Sequence, residues 1–145
     1  MTDSTPDVTE LKEGNRIPWG ARLRLRRALN RGRTGVLLGA EIREPPRSMS
    51  PNWSTVWIKK DGESLAACSK IERLPKFVDL TPGSHELIFI VTRTRKGGTS
   101  FTKTVTLHPG EILVALCEPI QPNVFYKKSP AADTWKFGVF SNNGC

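Results

Sequence analysis

Long apolar runs are missing from this 145-residue chain. The longest, Ile112 to Cys117, has six residues, against the roughly 20 that a bilayer-spanning helix needs. The amino end, Met1-Thr-Asp-Ser-Thr-Pro-Asp7, has neither the basic start nor the apolar centre of a secretory leader, so a cytoplasmic location is expected. Cysteine occurs three times and histidine twice. Cys68, Cys117 and Cys145 stand at no chelating spacing, and an odd count without a leader fits reduced thiols. No phosphate-cradling glycine loop is present, because Lys96-Gly-Gly-Thr reads as a hairpin tip with no helix behind it.

The most informative absence is local. Between Gly14 and Ala40 no acidic residue occurs, while seven arginines do: Arg16, Arg22, Arg24, Arg26, Arg27, Arg31 and Arg33. Outside that stretch 15 basic residues face 14 acidic ones, so the net charge of +8 comes almost wholly from one segment. Every cation in it is arginine, whose planar fork suits bidentate contact with phosphate or carboxylate. Such a field attracts nucleic acid, an anionic surface or an acidic protein. The plainer reading is an edge strand whose charges face water and block aggregation. Trp19 is the one aromatic nearby, too few for a base-stacking platform.

What is present reads mostly as strands. Residues 1–15 are polar and are expected to form a loose lead-in. Residues 20–31 alternate Arg and Leu from Arg22 to Arg26, which favours a strand pairing with Thr34–Arg43; the ending Asn30-Arg-Gly32 equally suits a short helix with a glycine cap. Ser54–Lys60 and Glu63–Lys70 flank the tight-turn pair Asp61-Gly62. Pro82-Gly83 and Pro109-Gly110 are type II turn chemistry, each opening a strand. Phe101, Val105 and Leu107 share one face of a strand with Lys103, while Thr102, Thr104 and Thr106 share the other. Short strands at close spacing with Gly and Pro turns indicate an all-β protein, a single antiparallel β-sandwich of about seven or eight strands over residues 16–118.

Two strands are apolar on both faces. Ile88 and Ile90 oppose Leu87, Phe89 and Val91, and Leu113 and Ala115 oppose Ile112, Val114 and Leu116. An outer sheet face carrying Ile88, Ile90, Leu113 and Ala115 needs a cover. Residues 119–145, with Phe125, Tyr126, Trp135, Phe137, Val139 and Phe140, are expected to dock there as an aromatic tail, Trp135 and Phe137 foremost. A second subunit, making a homodimer, is the alternative.

Residues 54–118 also resemble a PEGA-type β-sandwich module. The likeness rests on Val56-Trp-Ile before Asp61-Gly62, on Val78-Asp-Leu-Thr-Pro-Gly-Ser-His-Glu-Leu87, and on Lys103-Thr-Val-Thr-Leu-His-Pro-Gly-Glu-Ile-Leu113. The Pro-Glu-Gly-Ala run that names the family is absent; Arg73-Leu-Pro-Lys-Phe77 stands in that region. The resemblance covers under half the chain, and its motifs are turn chemistry. It implies a non-catalytic accessory module.

His85 and His108 each adjoin a Pro-Gly turn, where a surface polar residue is ordinary, and Cys117 reads as a small buried apolar group. No catalytic residue, metal site or cofactor is therefore expected. The expected function is a non-enzymatic accessory or binding module, presenting either the arginines or an apolar sheet face to a protein or an anionic partner. The alternative is a nucleic-acid-binding protein that places residues Arg16–Arg33 on phosphates.

Overall fold

The computed structural model describes residues 7–11, 17, 19–40, 54–68, 75–93, 98–118 and 133–141. Along them run β1 (Asp7–Glu10), α1 (Trp19–Asn30), β2 (Gly35–Ala40), β3 (Ser54–Lys60), β4 (Glu63–Cys68), β5 (Lys76–Asp79), β6 (Gly83–Arg93), β7 (Thr99–Leu107), β8 (Glu111–Glu118) and β9 (Thr134–Ser141). The strands form two sheets: sheet A in the order β1-β9-β8-β2-β5 and sheet B in the order β4-β3-β6-β7. The all-β sandwich read from the turns is what folds. Among the described residues no helix is long and apolar enough to cross a membrane.

Sheet B is a local product of its turns. Asp61 and Gly62 both have positive φ, 52° and 81°, the backbone of a two-residue type I′ turn whose twist suits a hairpin. It joins β3 to β4, and β6 and β7 pair antiparallel through nine residues, from Gly83↔Leu107 to Val91↔Thr99. Sheet A is not local. β2 lies parallel to β8 and β1 parallel to β9, two departures from a wholly antiparallel sandwich.

Between the sheets, Val36, Leu38, Leu113, Ala115, Cys117, Trp135 and Phe137 meet Val56, Ile58, Cys68, Leu87, Phe89, Val91 and Leu107. Phe89 stands at the aromatic centre, with its ring centroid 4.8 Å from Phe137, 5.2 Å from Trp135 and 5.5 Å from Phe101. The first two contacts are edge-on, the geometry that ring quadrupoles favour.

The structure corrects four expectations. Residues 20–30 are helical and Arg31 begins the turn that follows, so 20–31 is not a strand of a hairpin with 34–43. Ala21, Leu25, Ala28 and Leu29 fall at helical spacing and make one apolar stripe, three of them buried at 5% exposure or less. Alanine, leucine and arginine are also strong helix formers. The helix ends at Gly32, φ 68°, where Gly32 N–H donates to Leu29 C=O and Arg33 N–H to Ala28 C=O. That pair of bonds is a Schellman cap.

The lead-in is not wholly loose, since residues 7–10 form edge strand β1. Within the carboxyl-terminal segment, residues 134–141 do not lie over a sheet; they are a strand inside one, between β1 and β8. Finally, the expected cover of the outer face is misplaced. Leu113, Ala115, Trp135 and Phe137 all point into the core between the sheets. The outward set on sheet A is Leu37, Ile112, Val114 and Leu116, flanked by Phe77 and Phe140 of the same sheet, and α1 and Leu11 cover it. A strand apolar on both sides carries no sign of which side is inner; cross-strand register decides. Ile88 and Ile90 do lie on the outer face of sheet B, half-buried. Phe125 and Tyr126 lie outside the described residues.

Candidate anion-binding face

The stripe that docks α1 also aims its arginines. With Ala21, Leu25 and Ala28 turned into sheet A, Arg22, Arg24, Arg26 and Arg27 are exposed on the rest of the helix, and Arg31 is exposed in the turn that follows. At about 100° per residue, Arg22 and Arg26 occupy one flank and Arg24 and Arg31 the other. Leu23, Arg27 and Asn30 lie along the crest between them. From Arg22 to Arg31 the array spans about 13 Å along the axis.

No described acidic side chain balances this charge. Among the described residues none of these five arginines has a carboxylate within ion-pair distance, and the first turn of α1 contains no acid. Arg22/Arg26 and Arg27/Arg31 are like-charge pairs at i,i+4, each destabilising by about 0.2–0.5 kcal/mol. Only Arg27 sits in the last turn, where the helix dipole favours a cation. A helix needed only as a lid would be better served by alternating signs.

Arg33 is different. Its Nε donates to Asp79 Oδ1 at 3.0 Å, its Nη2 to Asp79 Oδ2, and its guanidinium carbon lies 4.4 Å from the centre of the Phe77 ring. It ties the end of α1 to β5. Next to it, Thr34 accepts from Leu80 N–H with its carbonyl and from Gly110 N–H with its Oγ1, at 3.0 and 2.8 Å. Of the seven predicted site arginines, then, five are brought together, Arg33 is committed to the scaffold, and Arg16 lies outside the described residues. The sequence signal for the array was the Ala21, Leu25, Ala28 spacing, which the Arg–Leu alternation obscured.

Among the described residues, both histidines are held in structural bonds. His85 is buried, at 7% exposure, and is not the surface turn residue its position suggested. Its Nδ1 accepts from the Lys60 ammonium at 2.8 Å and its Nε2 donates to Thr81 C=O at 2.6 Å. The ring thereby latches the β3–β4 hairpin to the turn before β6. His108 is exposed, and both its backbone N–H, at 2.6 Å, and its Nδ1, at 2.9 Å, contact Glu111 Oε1. The backbone donor is the main reason the Glu111 carboxyl titrates below the ordinary glutamate value; partial burial opposes it, and the His108 side chain adds to the lowering.

Cys68 and Cys117 are buried in the core between the sheets. Asp133, fully buried, accepts from Thr99 Oγ1 at 2.5 Å and holds the start of β9 to that of β7. Lys103 faces inward at the open side of the sandwich, its ammonium 5.2 Å from the centre of the Phe137 ring, beside a groove of about 540 Å³ that Val8, Leu113 and Val139 also line. Cys145 lies outside the described residues. Among those described, no three His, Cys, Asp or Glu side chains gather closely enough to hold a metal ion.

Comparison with protein-family models, with curated proteins and with solved structures returns no match to the chain.

Proposed function

We propose that the protein is a non-enzymatic binding module that docks on an anionic partner through the exposed arginines of α1. One observation carries this reading. Five guanidinium groups share the solvent side of a helix whose apolar stripe is already buried, with no carboxylate opposite them among the described residues. The helix is therefore a fixed mount, and no described carboxylate uses its charges. The likeness of residues 54–118 to an accessory module points the same way. The outer face of sheet B is a weaker candidate, since Trp57, Ile88 and Ile90 are half-buried there among threonines, and Trp57 Nε1 already donates to Thr92 Oγ1 at 2.9 Å.

Retention on a heparin column tests the reading. The wild-type protein should elute late, and Arg24→Glu/Arg26→Glu/Arg27→Glu should elute early while melting within a few degrees of wild type. Equal elution of the two proteins would remove α1 as the binding face. A large fall in melting temperature would show the three arginines to be structural.

A further inference from the structure

We infer that the partner of this face is double-stranded DNA, gripped by its phosphates across the major groove. The inference rests on the anion-binding reading above and narrows it. Its basis is the two-sided placement of the charge. Arg22 and Arg26 stand on one flank of α1 and Arg24 and Arg31 on the other, about 140–180° apart around the axis. A helix with side chains is about 10–12 Å across, and the major groove of B-form DNA is about 12 Å wide. Arginines on both flanks of one helix therefore face two phosphate rows at once.

The other anionic partners fit this array less well. A lipid surface holds an amphipathic helix by its apolar face, and that face of α1 is taken by Leu37, Ile112, Val114 and Leu116. An acidic protein would be expected to find a large apolar or aromatic anchor amid the charges; the exposed arc from Arg22 to Arg31 offers only Leu23, at 36% exposure. Double-stranded RNA has a major groove too narrow and deep for a helix to enter. Single strands call for stacking rings, and no aromatic occurs from residue 20 to residue 31. Four arginines on the flanks face phosphates and only Arg27 and Asn30 on the crest are of base-reading type, so the contact is mainly with the backbone.

Fluorescence anisotropy of labelled 20-base-pair DNA, titrated with the full chain at several salt concentrations, tests the inference. With four or five phosphates neutralised, the slope of log K against log salt should be about −4, a loss of roughly 10²- to 10³-fold between 50 and 200 mM. Arg22→Gln/Arg26→Gln and Arg24→Gln/Arg31→Gln should each lower the slope by about 2, with unchanged far-ultraviolet circular dichroism. The same sequence as an RNA duplex, as single-stranded DNA, and polyglutamate of matched charge should each bind at least tenfold more weakly at 100 mM salt. Equal binding to any of these three, or a slope that responds to one flank only, would overturn the groove-spanning inference and leave an anion-binding face. Absence of binding to every polyanion, heparin included, would overturn both.

Discussion

On the outer side of sheet A, Ile112, Val114 and Leu116 are at most 4% exposed, and α1 lies on them. On the outer side of sheet B, Ile88 and Ile90 are only half-buried. The two strands read alike, each apolar on both faces. Their neighbours differ. Beside β8, Leu37 of β2 stands opposite Val114 and Phe140 of β9 opposite Ile112, so the apolar surface continues across three strands. Beside β6, Ile90 is paired with Ser100 and Trp57, and Ile88 with Thr102 and Lys59. Whether an apolar face needs a lid is thus a property of the row across the sheet. It cannot be judged from one strand alone.

Removing the lid's anchor should give the largest effect. Leu25→Ala, at a position 5% exposed, should lower the unfolding free energy by about 2–4 kcal/mol in urea titration. Ile90→Thr on the other face should lower it by about 1 kcal/mol or less. Equal losses would mean that the two faces are buried to the same degree. Arg33→Gln comes next: it removes the contacts to Asp79 and Phe77, both partly solvent-exposed, and should lower stability by about 0.5–1 kcal/mol without weakening polyanion binding. Loss of binding in this variant would place Arg33 in the site.

The smallest effect concerns the turn that leads into β8. The folded Glu111 carboxyl is held below its ordinary value, chiefly by the His108 N–H. Its contribution to stability is therefore complete above the ordinary glutamate range and is lost as pH falls through the lowered folded value. Thermal melts from neutral pH into acid should show Glu111→Gln missing that acid-side loss. A variant as acid-sensitive as wild type would assign the loss to other carboxylates.

The turns make sheet B legible in the sequence. Asp61-Gly62 has one backbone solution that suits a hairpin, and the alternation around Thr102, Thr104 and Thr106 fixes which side faces water. The helix was not legible, because Arg22-Leu-Arg-Leu-Arg26 satisfies a period of two over five residues while the competing period of 3.6 shows only when Ala21, Ala28 and Leu29 are included. Trp135 and Phe137 misled for another reason: a composition rich in aromatics signals burial and does not distinguish a covering tail from an inserted strand. For the candidate site, charge was readable and geometry was not. The clustering of arginines is a fact of the sequence; the two flanks, and the withdrawal of Arg33 to Asp79, exist only once the helix is in place.

The parallel pairing of β1 with β9 has a consequence for how the molecule is made. Thr9 Oγ1 reaches the carbonyl of Trp135 across 126 residues, and Leu11 N–H donates to Phe137 C=O. Contacts of such high sequence separation close late and slowly. During synthesis β3, β4, β6 and β7 can zip together from neighbouring hairpins, whereas the first strand pairs with the ninth and waits until that strand emerges. A nascent chain arrested before residue 134 would hold a finished sheet B and an unclosed sheet A.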